Sequence, residues 1–264
     1  MTEDTPDAAN GRIAIGVDVG GSGIKVAAVD VATGSLVSER LRVATPNPST
    51  PDAMVASIGR LVRRVATATK NTSAPVGVGV PCVVIGGVTL TAANIDPSWV
   101  GFEADRRLTA LLKREVIVLN DADAAGLAEM RFGAGREKHG VVLLLTLGTG
   151  VGSGLFVDGK LVPNTELGHM EIRGRDAEKR SAAAARVRRG MSWKAWAADL
   201  DEHLQAIDRI LWPSLIILGG GVSKRADRFL PRLTARPPIV TAELLNDAGI
   251  VGSALAAAEK FEPA

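Results

Sequence analysis

Twice along the chain an apolar, β-rich run enters a cluster of glycines and a second run leaves it, and no other feature narrows the fold so far. Residues 13–19 and 24–29 flank Gly20-Gly21-Ser22-Gly23, which reads as two antiparallel strands around a glycine turn. Residues 140–147 lead into a second glycine turn at 148–154, and 155–157 continue as a strand. The echo predicts two related lobes of an α/β chain. Residues 36–43 read as a third strand, 54–65 as a helix, and 76–80 and 116–119 as short buried strands. A helix is expected over 122–132, a strand over 214–218 entering Gly219-Gly220-Gly221, a helix after Ser223, and a closing helix over 248–260. No low-complexity linker interrupts this series, so the lobe boundary is expected as a compact hinge near Asn120. That divides the chain into a small lobe, 1–120 plus 248–264, and a large lobe, 121–247.

Glycines between strands let backbone N–H groups approach an anion closely. The first turn, with Gly20, Gly21, Ser22 and Gly23, and the second, with Thr146, Gly148, Thr149 and Gly150, are therefore candidate phosphate cradles. Neither has the Gly-Lys-Ser/Thr of a Walker loop or the strand-to-helix setting of a dinucleotide fingerprint. A lone glycine hairpin is more often only a turn; a pair of them with a third run at Gly219, Gly220 and Gly221 favours the cradle. Asp18 immediately precedes the first turn and is the candidate Mg²⁺ ligand, directly or through water, while Lys25 is placed to neutralise phosphate charge.

Asn120-Asp121 stands where a buried strand ends and a helix begins. That is a capping position, and it also aims side chains into a cleft. Phosphoryl transfer to a hydroxyl needs a carboxylate to accept the proton, and Asp121 suits that role, with Asn120 beside it. Glu166 and His169 offer a carboxylate and an imidazole close together, both able to bond vicinal hydroxyls, and Glu171 is a further candidate. Asn94 is equally a loop residue or a ligand contact, with Trp99 near enough to pack against it.

Composition removes several alternatives. Cys82 is the only cysteine, which rules out an internal disulfide and a multi-cysteine metal site and favours a reducing cytoplasm. A net charge of +2, with no tyrosine and few other aromatic residues, gives little basis for nucleic-acid binding. No apolar stretch is long enough for a membrane span, and residues 1–11, polar and acidic, read as a frayed tail rather than a signal peptide. Cations do concentrate locally over residues 173–194, at Arg173, Arg175, Lys179, Arg180, Arg186, Arg188, Arg189 and Lys194. Such a run is either a solvated helical surface or a groove for a polyanion.

From residue 13 to 260 the order of these motifs resembles the repressor/open-reading-frame/kinase (ROK) family of bacterial sugar kinases. The resemblance implies an actin-like ATPase (ribonuclease H-like) fold with two lobes around a cleft. It implies that Asn94, Asn120, Asp121, Glu166 and His169 meet a hexose, with Glu171 a further contact and Asp121 the base. The cysteine-rich zinc segment usual in the family is missing after His169, so no zinc is expected, and no helix-turn-helix segment precedes residue 13. Segments 219–227 and 248–252 are similar to those of the family's actinobacterial polyphosphate/ATP-dependent glucokinases. That likeness implies a cytoplasmic enzyme using Mg²⁺ with polyphosphate or ATP to phosphorylate the 6-hydroxyl of glucose, mannose being a further candidate, and a homodimer is a family-level expectation. The alternatives are a kinase for another hexose using ATP only, and a non-catalytic sugar sensor.

Overall fold

A computed structural model describes residues 12–93 and 95–261. The expected frayed tail, residues 1–11, and Asn94 lie outside the described residues. The strands are β1 (Ile13–Gly20), β2 (Gly23–Asp30), β3 (Ser35–Leu36), β4 (Leu41–Val43), β5 (Val76–Val80), β6 (Val84–Ile85), β7 (Val88–Thr89), β8 (Phe102–Glu103), β9 (Val116–Asn120), β10 (Val141–Leu147), β11 (Val151–Val157), β12 (Lys160–Val162), β13 (Leu215–Gly219) and β14 (Ile239–Thr241). The helices are α1 (Pro51–Ala68), α2 (Ala104–Leu112), α3 (Asp121–Phe132), α4 (Glu178–Ser181), α5 (Ala183–Arg188), α6 (Trp193–Leu211) and α7 (Ala248–Lys260).

Two sheets repeat one plan. The first runs β3-β2-β1-β5-β9, with β4 also on β2, and the second runs β12-β11-β10-β13-β14. In each, the first hairpin strand has an antiparallel partner on one side and a parallel strand on the other. Thus β1 corresponds to β10, β5 to β13 and β9 to β14. A small sheet, β6-β7-β8, stands apart from both.

The helices that follow the last strand of each sheet cross over. α3 follows β9 yet packs against β11, whereas α7 follows β14 and packs on β1 and β5, and the two helices lie against each other. Sequence makes this close packing possible. A Cβ at Gly16 or Gly77 would overlap the α7 backbone at Ile250 or Ser253, and one at Gly252 would overlap the α3 backbone at Ala124. Separate apolar clusters fill each lobe: Met54, Ile58 and Val62 of α1 pack with Val17 and Val78 in the first, and Trp196, Leu200 and Leu204 of α6 with Leu143 and Ile216 in the second.

Several elements differ from expectation for local reasons. The third strand is broken into β3 and β4, because the Ala28 N–H donates to Ser38 Oγ at 2.9 Å and a side chain replaces a rung of the ladder. The second glycine turn is only residues 148–150, since Gly152 and Gly154 lie inside β11, where side chains would meet Thr146 and Ala122. The segment after Gly220 is not an α-helix beginning past Ser223. It is a 3-10 stretch, Gly221–Arg228, interrupted at Arg225, and the N–H and hydroxyl of Ser223 both donate to Gly220 O, at 3.1 and 2.8 Å. Trp99 is fully buried in the first lobe's core, with its Nε1–H donating to Ser49 O at 2.9 Å, rather than lying open beside a ligand. Among the described residues no helix is long and apolar enough to cross a membrane.

Candidate active site

Asp121 begins α3 at the floor of a cavity of about 490 Å³. The cap that places it is Asn120, whose side-chain oxygen accepts the N–H groups of Ala122 and Asp123 at 2.8 and 3.1 Å. The Asn120 amide nitrogen donates to Cys82 O at 3.1 Å, which leaves one of its hydrogens for a ligand. Burial, the nearby charge of Asp18 and, more weakly, that of Glu166 push the Asp121 carboxyl up to about 7. A carboxyl near that value is suited to take a proton at neutral pH. The same surroundings, burial first and then the charges of Asp121 and Glu166, raise the Cys82 thiol to about 12 and leave it a packing group.

The cavity is also lined by Gly21 and Ser22 from the first turn and by Thr146, Gly148, Thr149 and Gly150 from the second. A smaller cavity of about 290 Å³ adjoins this one, lined by Asp18, Gly20, Lys25, Gly219, Gly220 and Gly221, and Asp121, Thr146, Gly148 and Gly220 line both. Gly220 has φ +84°, and a Cβ there would clash with the Leu147 backbone, so the fold itself requires glycine. At Gly21, Gly148 and Gly221 the reverse holds: φ is ordinary and a Cβ would meet nothing within 4 Å. Neither backbone nor packing demands glycine at those three positions, and what their bareness provides is room for something else in the cleft.

Lys25 Nζ donates to Asp18 Oδ2 at 2.7 Å, and the pair faces the smaller cavity. Asp18 and Asp121 are close enough for the charge of one to raise the pKa of the other. Two carboxylates facing one anion-sized space fit a divalent cation brought in with phosphate oxygens.

Across the larger cavity stand Glu166 and His169 on a 3-10 turn, Leu167–His169. Ser153 fixes that turn to β11 by donating to Thr165 O at 2.5 Å and accepting the Leu167 N–H at 3.0 Å. Burial lowers the pKa of His203 of α6, whose Nε2 donates to Leu167 O at 3.0 Å. Burial raises the Glu166 carboxyl, and the imidazole of His169, 3.8 Å away, opposes that shift. His169 Nδ1 lies 3.3 Å from Asp176 Oδ2, and with Glu178 these form the one grouping of three ligand-type side chains among the described residues, their nearest atoms within 4.8 Å.

Most of the expected site residues therefore converge. Glu171 does not line either cavity; it is exposed and bridges to Asp176. Gly23 closes the turn end of the hairpin opposite Gly20, against the Arg42 guanidinium, and lines neither cavity. Glu178 was not singled out from the sequence, because it is one acid within a cationic run, yet it lines the cavity and its Oε2 accepts the Val151 N–H at 3.1 Å. Thr91 and Ala93, Leu245 and Asn246 also line the cavities from loops with no motif to mark them.

The ROK family model matches residues 14–190. The chain belongs to the ROK family. This ROK chain is 46% identical over 256 residues to a polyphosphate glucokinase of Mycobacterium tuberculosis, covering 97% of the chain and 95% of the relative. It is also similar to the crystal structure of the inorganic polyphosphate/ATP-glucomannokinase of Arthrobacter sp. strain KM, with TM-score 0.91, 48% identity and coverage of 94% and 99% of the two chains. A ROK glucokinase from Streptomyces griseus, solved with glucose and AMPPNP, matches at TM-score 0.80 and 26% identity, with 94% and 99% covered. With these likenesses the two repeated sheets are the two lobes of an actin-like ATPase fold.

Proposed function

We propose that this ROK chain is a cytoplasmic kinase that transfers the terminal phosphoryl group of inorganic polyphosphate or ATP to the 6-hydroxyl of glucose, with mannose a second acceptor. The observation that carries the reading is the position of Asp121, which lines both the larger cavity beside Glu166 and His169 and the smaller cavity beside the glycine turns. A hexose in the larger cavity meets hydrogen-bonding groups at Glu166, His169 and the free amide hydrogen of Asn120. Its reacting hydroxyl then lies against Asp121, which accepts the proton as the oxygen attacks phosphorus. Backbone N–H groups of the two turns and the Lys25 ammonium meet the phosphate oxygens, where charge accumulates in the transition state. Asp18 would hold Mg²⁺, whose chemistry here is neutralisation of charge on the transferred group. The 46% identity to a polyphosphate glucokinase and the glucomannokinase likeness support both donors and both sugars. The lobe division at Asn120, with residues 248–264 returning to the first lobe, is part of this reading; it is supported by α7 lying on β1 and β5.

The test is the initial rate of sugar phosphorylation with ATP and with long-chain polyphosphate, in wild type and Asp121→Asn. Turnover in wild type is expected with glucose, and the substitution is expected to lower kcat about 10²- to 10⁴-fold while glucose binding persists. Near-normal turnover in Asp121→Asn removes the base assignment. Absence of turnover with every donor and sugar replaces the kinase reading by that of a sugar sensor.

A further inference from the structure

Beside the catalytic cleft the surface holds a concavity of about 590 Å³ whose lining is wholly cationic: Arg173, Arg175, Lys179, Arg180, Arg188 and Arg189. Six like charges around one space repel one another, and a fold keeps them together only if carboxylates behind them or a ligand in front compensates. The carboxylates compensate in part. Arg180 is clamped by Asp199 and by Glu202, the latter at 2.6 Å, and Arg173 and Arg189 share those same two acids at 2.7 and 2.6 Å. Lys179 pairs with Glu178 at 3.3 Å. Among the described residues Arg175 and Arg188 have no carboxylate at ion-pair distance, and both are exposed. Among the described residues the Arg188 guanidinium makes a single hydrogen bond, to Lys179 O at 3.2 Å, which leaves most of its donors for a ligand or solvent.

The segment carrying these cations also grips the second glycine turn. Ala184 N–H donates to Gly148 O at 3.0 Å, and Glu178 accepts the Val151 N–H, so α4 and α5 clasp the turn from both ends. The basin is thus built on the same short segment that positions the cradle. A ligand bound in both would be long, linear and negatively charged at regular intervals. ATP ends in a neutral nucleoside and would place no charge there.

We propose that the basin is a binding site for the internal phosphates of a polyphosphate chain whose end occupies the cleft, and that it serves this donor and not ATP. The proposal rests on the donor reading above. Planar guanidinium groups with spare donors match the oxygens of successive phosphates, while the clamped Arg180 supplies a fixed point on the floor. Attraction of this kind is long-ranged at low salt and screened as salt rises.

The test is the double substitution Arg175→Glu with Arg188→Glu, two exposed residues outside the catalytic cleft. KM for long-chain polyphosphate is expected to rise at least tenfold, with the kinetic constants for ATP and glucose within twofold of wild type. Direct titration of long-chain polyphosphate into the protein is expected to show the same weakening, and tripolyphosphate, too short to reach, a smaller one. Charge-neutral Arg175→Gln with Arg188→Gln should give an intermediate loss, which a merely misfolded variant would not. An unchanged affinity for long-chain polyphosphate overturns the proposal, as does an equal loss for ATP. If wild type uses ATP but not polyphosphate, the donor reading fails separately; the basin then stands only if polyphosphate still binds in a manner the double substitution weakens, and falls if it does not.

Discussion

At the scale of single residues, the pH response of Asp121 follows from its surroundings. Its carboxyl is raised to about 7, first by burial and then by the charge of Asp18. Only the ionised form can accept a proton, so kcat/KM for the sugar is expected to climb as pH rises through about 7 and to level off above it. A pH profile of kcat/KM at saturating donor checks this. An acid limb near pH 4 would mean that Asp121 is not so shifted or is not the base. Much about this residue could be read from sequence, because Asn120-Asp121 between an apolar strand and a helix defines the cap by local chemistry. The state of its carboxyl could not, since Asp18 and Glu166 reach it only through the fold.

At the scale of elements, the glycines separate into those the packing needs and those it does not. Gly77 on β5 faces the Ser253 backbone of α7, where a Cβ has no space. Gly77→Ala is expected to destabilise the protein by about 2–3 kcal/mol through overpacking. Gly21 has an ordinary φ and open surroundings, so Gly21→Ala is expected to change stability by less than about 0.5 kcal/mol. Its effect should fall on the donor, whose KM rises about tenfold as the methyl occupies phosphate space. Thermal melts and donor kinetics on the two variants test the contrast, and a donor KM unaffected by Gly21→Ala would argue against the cradle. Sequence revealed these turns as clusters without separating the two kinds of glycine. It missed that Gly152 and Gly154 are strand residues, because what crowds their side chains is Ala122 of α3, joined at Gly152 by Thr146 of β10, and α3 lies well before them in the chain. The broken third strand was equally hidden, since the Ser38 hydroxyl that interrupts it looks from sequence like any solvent-facing serine.

At the scale of the whole molecule, Asp123 ties distant parts together. Its Oδ2 accepts the Asn164 N–H at 2.8 Å, while the Asn164 side chain bonds both the N–H and the C=O of Val84, at 2.8 and 2.9 Å. Asp123 is 1% exposed and its other oxygen has no partner. Burial raises this carboxyl to about 7, with the Asn164 bond opposing and the Glu166 charge adding. The folded state therefore keeps a proton that the unfolded chain loses near pH 4, and stability falls as pH rises from there to about 7. Asp123→Asn removes that loss and is expected to gain about 1–3 kcal/mol relative to wild type at pH 8 beyond any change at pH 5. Urea unfolding at the two pH values checks it; an equal difference at both would show that Asp123 does not titrate in this window.

The doubled frame has a further consequence. In the first hairpin Asp18 faces Lys25, and two steps from the second turn the corresponding pair is Leu145 and Ser153. At this one position of a repeated scaffold the pair is charged in the first hairpin and uncharged in its twin. A polyphosphate chain reads the same from either end, so it has no head or tail of its own. On this surface it acquires one: whichever end arrives first becomes the front, and direction is a property of the protein rather than of its substrate.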